Sequence, residues 1–157
     1  MIEIRQGKCS DIPPLSEVYA RAYTQGDNEE QWSVESARAF LEVSFHRQPD
    51  LLFVAAENEE LAGGSWGAVR PWWDGIYLVD AELFVDPSHQ EQGVGKRLMK
   101  HLVTAAQLRH KVNRIEAVTF RNSEFPLNWY KHLGFHPSSE LVVIEAKVED
   151  VLSKLSE

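Results

Sequence analysis

Residues 81 to 98, Ala-Glu-Leu-Phe-Val-Asp-Pro-Ser-His-Gln-Glu-Gln-Gly-Val-Gly-Lys-Arg-Leu, restrict the fold more than any other stretch of the chain. A β-prone run is stopped by Asp86-Pro87, a polar turn follows, and a helical pattern opens behind Gly93 and Gly95. Between Gly93 and about His110, Val94, Leu98, Leu102 and Ala105 share one face, while Lys96, Arg97, Lys100 and Arg109 lie largely off it. A strand that runs at once into an amphipathic helix must bury that helix against a sheet, which makes the fold class α/β.

The remaining periodicities fill in the order. Residues 2 to 6 predict a strand. Leu15, Val18, Tyr19, Ala22 and Tyr23 predict a first helix, with Asp11 as a cap and Pro13-Pro14 near its first turn. Ala37, Phe40, Leu41 and Phe45 predict a second helix that ends by Pro49. Residues 51 to 56 and 61 to 70 predict a hairpin turned at Asn58-Glu59-Glu60, and residues 76 to 85 a long strand after the Pro71-Trp72-Trp73-Asp74-Gly75 loop. Beyond the 93–110 helix come a strand at 115 to 120, a short helix marked by Leu127, Tyr130 and Leu133 and closed by Gly134, and a final strand at 141 to 147. A short strand at Phe135-His136 and a terminal helical turn or two after Val148 complete it. The order β-α-α-β-β-β-α-β-α-β(-β) describes a mixed sheet with helices on both faces.

Length and composition set the limits within which this order operates. A chain of 157 residues with 43% hydrophobic and 25% charged residues predicts one domain spanning 1–157, with no linker or repeat. Cys9 is the sole cysteine, which excludes internal disulfides and paired-cysteine zinc sites and suits a reducing cytoplasm. No secretory leader and no membrane span is expected from the sequence. A formal net charge of -8 repels phosphate backbones and anionic lipid, so neither nucleic acid nor a membrane is an expected partner. The six histidines, among them His89 beside the polar turn, show no ligand spacing joined to carboxylates, and no metal is expected.

The strand-turn-helix segment points to phosphate. A helix start presents unpaired N–H groups and a positive dipole end, and glycines let an anion approach that backbone without meeting a β-carbon. A P-loop is absent, because residue 97 is Arg and no glycine stands at the required offset. A dinucleotide fingerprint is absent too, since its third glycine falls at Leu98.

Val85-Asp86-Pro87 followed by Gln90-Glu91-Gln92-Gly93-Val94-Gly95 resembles motif A of the GNAT (GCN5-related N-acetyltransferase) superfamily, Gln/Arg-x-x-Gly-x-Gly/Ala. Trp129-Tyr130-Lys131-His132-Leu133-Gly134-Phe135 resembles the family's downstream Tyr-x-x-x-Gly-Phe element. The resemblance implies the acyl-CoA N-acyltransferase fold, with a mixed, mostly antiparallel central sheet, and transfer of an acetyl group from acetyl-CoA to a primary amine. It implies that backbone N–H groups from Gln92 through Gly93, Val94 and Gly95 to Lys96 cradle the CoA pyrophosphate, with Gln90 and Gln92 shaping the turn. Leu83, Phe84 and Val85 would pair with the pantetheine arm, and a backbone N–H there would polarise the acetyl carbonyl. Tyr130 would protonate the departing thiolate, and Asn122 would contact CoA, at a distance from Tyr130 one residue longer than usual. Gln90 stands where Arg is commoner.

Direct transfer needs a neutral amine. Glu82, with Asp80 two residues away on the same strand face, is the best-placed general base. The resemblance places acceptor recognition at residues 26 to 32 and 71 to 74, where tryptophans stand beside carboxylates, and leaves the acceptor as a small-molecule or a protein amine. A homodimer follows by analogy only. Two other classes stay open: a regulatory module that binds acetyl-CoA without transfer, and an interaction domain whose glycines serve packing alone.

Overall fold

The structure is a computed structural model that describes residues 1–24, 30–121 and 124–156. Its framework is a hairpin of two strands, β2 (Phe53–Glu57) and β3 (Glu60–Trp72), reversed at Asn58 and Glu59, whose φ values are 49 and 71. Positive φ at both turn residues matches the twist of an antiparallel ladder, so this turn brings the strands into register without splaying them. Strands β1 (Glu3–Gln6) and β4 (Gly75–Val85) flank the hairpin, both antiparallel to their neighbours, and β5 (Arg114–Ile115) joins β4 in parallel. The sheet order β1-β2-β3-β4-β5 is therefore mixed and mostly antiparallel.

Alternation along β3 and β4 sends side chains to two cores. On one face, Val54, Trp66, Ala68, Val79 and Phe84 pack under α1 (Ile12–Thr24) and α2 (Val34–Arg47), which contribute Leu15, Val18, Tyr19, Ala37 and Leu41. On the other, Phe53, Ala55 and Leu78 pack under α3 (Val94–His110) through Val94, Leu98, Leu102 and Ala106. Each fully buried leucine contributes on the order of 1.5–3 kcal/mol. Helices on both faces of a mixed sheet are the α/β class expected from the sequence. Asp11 departs from its expected place as a cap of α1. Its carboxylate instead takes two hydrogen bonds of 2.8 Å from Arg5 of β1 and one from the Lys8 N–H, fastening the first strand to the start of α1.

The chain divides into two compact units, Met1–Val118 and Thr119–Glu157. The second contains α4 (Glu124–His132) and α5 (Val148–Leu155). The expected order needs correction at its end. The strand read at 115 to 120 is paired only at Arg114–Ile115, and 135–136 and 141–147 form no strand among the described residues. An apolar, β-branched run becomes a strand only where a neighbour completes its hydrogen bonds, and these segments have no such neighbour among the described residues. No helix among the described residues is long and apolar enough to cross a membrane.

Candidate active site

The site begins with an irregularity in β4. Trp66 stands opposite Glu82 while Ala68 stands opposite Val79, so β4 carries one more residue than β3 across this step. The extra residue is accommodated at Asp80, whose φ of 53 lies in the left-handed region that Asp tolerates better than most residues. Beyond this bulge the other edge of β4 is open. Pairing with β5 covers Tyr77 and Leu78 and closes with the Glu116 N–H on the Leu78 carbonyl at 2.8 Å. From residue 79 to 85 that edge has no strand partner among the described residues. Phe84 is buried under α1, whereas Leu83 and Val85 pack toward α3.

At the end of β4 the chain makes a tightly bonded turn. Asp86, only 8% exposed, accepts from the Ser88 N–H at 3.0 Å and the Ser88 hydroxyl at 2.6 Å, and pairs with Arg21 of α1 at 2.8 Å. Burial alone would raise its carboxyl, but the bonds from Ser88 and Arg21 prevail and hold it below the ordinary aspartate value. The Gln90 side chain donates to the Val85 carbonyl at 3.1 Å and that of Gln92 to the Ser88 carbonyl at 3.2 Å, so both glutamines brace the turn. Gly93 then caps α3 at φ 75 with no side-chain hydrogen bond to the helix start, and a Cβ built there would meet nothing within 4 Å. The space beside Gly93, at the start of α3, is thus unfilled among the described residues. Val94 is buried, Gly95 lies over Leu83 and Val85, and Lys96 is exposed. Arg97 is committed elsewhere, donating to the Ile2 carbonyl at 2.9 Å.

Glu82 projects from β4 toward α1. Its Oε2 accepts from the Tyr23 hydroxyl at 3.1 Å and the Tyr19 hydroxyl at 3.3 Å, and Oε1 has no hydrogen-bond partner among the described residues. Burial pushes the Glu82 carboxyl up to about 7; the two tyrosine bonds oppose this, and the negative charges of Glu30 and Asp80 add to it. Burial also pushes the Tyr19 phenol far up, with the Glu82 and Glu30 charges reinforcing it, so Tyr19 remains a donor. Tyr19 is held in place by ring contacts with Tyr23, Trp32, Phe40 and Phe84 at 4.6–5.5 Å.

A cavity of about 250 Å³ opens beside Glu82, lined by Phe40, Val43, Ser44 and Arg47 of α2, Trp66 of β3, Asp80, Ala81 and Glu82 of β4, and Val118. Asp80 and Glu82 do share it, but through the bulge rather than simple alternation, and Asp80 is paired with Arg47 at 2.7 Å. Tyr130 lies in the second unit, on α4, against Trp129 and Phe135 at 5.2 and 5.1 Å, and its carbonyl accepts from the Phe135 N–H across the Gly134 turn. Asn122 and residues 26–29 of the expected acceptor loop lie outside the described residues. The site also contains Tyr19, Tyr23 and Arg47, of which sequence reasoning places the two tyrosines only on the buried face of the first helix. The only available signal was that two tyrosines four apart on a buried helix face need a partner for their hydroxyls. Among the described residues no group of three His, Cys, Asp or Glu could hold a metal ion.

An open strand edge leading into a helix start with no side-chain cap, on a mixed sheet with helices on both faces, is the arrangement that the resemblance implies for an acyl-CoA N-acyltransferase fold. The sequence matches the Acetyltransferase (GNAT) family over residues 12–135. No curated protein matches it. Among solved structures, the chain is similar to a transcriptional regulator from Bacillus halodurans C-125, at 20% identity and a TM-score of 0.71, with 93% of this chain and 100% of that one covered. It is similar to the aminoglycoside acetyltransferase AAC(6')-Iy in complex with a bisubstrate analogue, at 17% identity and a TM-score of 0.68, covering 94% and 99%. A predicted acetyltransferase with acetyl-CoA from Clostridium acetobutylicum is similar at 18% identity and a TM-score of 0.69, covering 92% and 96%. At these identities the structural likeness carries the fold alone. The chain belongs to the GNAT acetyltransferase family and is an acetyl-CoA-dependent acyltransferase.

Proposed function

We propose that this chain, acting as one domain, moves the acetyl group of acetyl-CoA directly onto a primary amine, with Glu82 as the general base. The observation that supports this best is a carboxyl raised toward neutral pH at the wall of a cavity, with one oxygen bound by two tyrosines and the other without a hydrogen-bond partner among the described residues. A carboxyl raised this far is better matched to an amine than an ordinary glutamate is, so it can take a proton from an ammonium ion and still hold it weakly. The neutral amine attacks the acetyl carbonyl, the carbon–sulfur bond breaks, Tyr130 donates a proton to the leaving thiolate, and the proton that the acylated nitrogen then gives up restores the Tyr130 phenol. The open edge of β4 at Leu83, Phe84 and Val85 would pair with the pantetheine arm, and the N–H groups from Gln92 to Lys96 would hold the pyrophosphate, with Asn122 as a further CoA contact. The residues present fit that ligand, because nothing fills the space a β-carbon on Gly93 would enter.

Calorimetric titration with acetyl-CoA, followed by thiol release against a panel of amines, tests the proposal. Saturable binding with amine-dependent release supports it; binding with no release from any amine favours a regulatory module instead. Tyr130→Phe is expected to lower kcat by about 10²-fold, within the usual range for general acid catalysis, while acetyl-CoA affinity holds. Equal turnover would remove Tyr130 as the acid.

Tyr23→Phe is expected to act through the pH profile. Its hydroxyl stabilises the Glu82 carboxylate, so its loss raises that carboxyl further and moves the acid limb of kcat/KM upward by about one pH unit, the equivalent of one hydrogen bond to a charged group. A lower rate with an unmoved limb would mean that Tyr23 only packs.

A further inference from the structure

Among the described residues the polar side chains deep in the cavity have partners, with the exception of one oxygen. The Trp66 indole N–H donates to the Gln48 carbonyl at 3.1 Å, and the Ser44 hydroxyl donates to the Phe40 carbonyl at 2.8 Å within α2. At the mouth, Arg47 donates one hydrogen bond to Asp80 at 2.7 Å, so a cation already stands beside the second carboxylate. Deeper in, Glu82 stands on one wall, and the rings of Phe40 and Trp66 and the aliphatic side chains of Val43, Ala81 and Val118 supply the apolar part of the lining. Val43 is 70% exposed, an apolar side chain left at the rim.

We propose that the acceptor is an alkyl or arylalkyl monoamine, a single primary amine on an apolar body, seated in the cavity between α2 and β4 with its nitrogen at Glu82. This rests on the acetyl transfer proposed above. A second ammonium on the acceptor would lose water on entry and meet at the mouth a carboxylate already paired with the Arg47 cation, which costs more than a missing apolar contact. An apolar body meets the aromatic and aliphatic wall without that loss. The charges that face Glu82 do not alter the assignment. Tyr19 and Tyr23 from α1 donate to Oε2, Arg47 of α2 pairs with Asp80, and Glu30 accepts from the Trp32 indole at 2.9 Å.

The test compares phenethylamine with putrescine and spermidine, by calorimetric binding to the protein saturated with free CoA and, separately, by thiol release from acetyl-CoA. Phenethylamine is expected to bind about tenfold tighter or more than either polyamine, the order of discrimination one or two apolar contacts supply. Arg47→Ala is expected to narrow that ratio by about fivefold, because it frees the Asp80 carboxylate for a second ammonium. Equal or tighter binding of putrescine or spermidine, no binding of any of the three, or a ratio unmoved by Arg47→Ala would overturn the assignment. The two proposals fail differently. Preferential phenethylamine binding without thiol release keeps the acceptor class and removes the transfer, whereas thiol release that prefers spermidine keeps the transfer and removes the acceptor class.

Discussion

Glu82→Gln is expected to lower kcat by about 10²–10⁴-fold, the range a general base supplies, with acetyl-CoA affinity unchanged. The substitution keeps the shape of the side chain and its ability to accept from Tyr19 and Tyr23, and removes only the capacity to take a proton. Stability provides an independent readout. The Glu82 carboxyl stands at about 7 in the folded chain, against 4.5 for the free side chain. Between those two values the folded state keeps a proton that the unfolded state has released, so stability falls as pH rises through the window and is flat on either side of it. At about 1.4 kcal/mol per pH unit the loss is on the order of 3 kcal/mol. Gln has no proton to lose, so the variant is expected to hold its stability from pH 5 to 8 where the wild type declines. Denaturant midpoints across that range, set beside kcat, separate the outcomes. A variant that flattens the stability curve yet turns over normally would show a buried carboxyl with no catalytic part, and a variant as pH-sensitive as the wild type would place the titration on another group.

How much of this was visible in the sequence depends on whether the determinant was local. The run into Asp86-Pro87, the turn and the α3 stripe are written in consecutive residues, and α3 indeed begins at Val94 behind a left-handed Gly93. The 58–59 reversal was equally local. The bulge at Asp80 was not, because an extra residue on β4 exists only relative to the register of β3, and no property of Asp80 itself announces it. It matters, since it brings Asp80 to Arg47 and gives Val79 and Glu82 the same face, where strict alternation would set them on opposite ones. The tyrosine donors to Glu82 lie 63 and 59 residues away in sequence, a separation that no window of periodicity spans. The runs at 115–120 and 141–147 carry β-prone residues, but that preference describes a fit to a neighbouring strand and does not supply one.

Gly93→Leu is expected to weaken acetyl-CoA binding by about 10²–10⁴-fold, the loss of two hydrogen bonds from backbone N–H groups to a charged phosphate at about 1.5–3 kcal/mol each. The fold should survive it. A β-carbon at Gly93 meets nothing within 4 Å, so the cost to the free protein is confined to the positive φ of 75, about 1–2 kcal/mol for a residue with a side chain. The leucine side chain then stands in the open space before the first turn of α3, where an anion would have to approach. Gly93→Asn provides the control for strain, because asparagine visits the left-handed region more readily while still filling that space. Both variants should bind acetyl-CoA poorly although their thermal midpoints differ. A folded Gly93→Leu or Gly93→Asn protein that binds with wild-type affinity would mean that the phosphates rest elsewhere, and that Gly93 is retained by the turn it closes rather than by the ligand it admits.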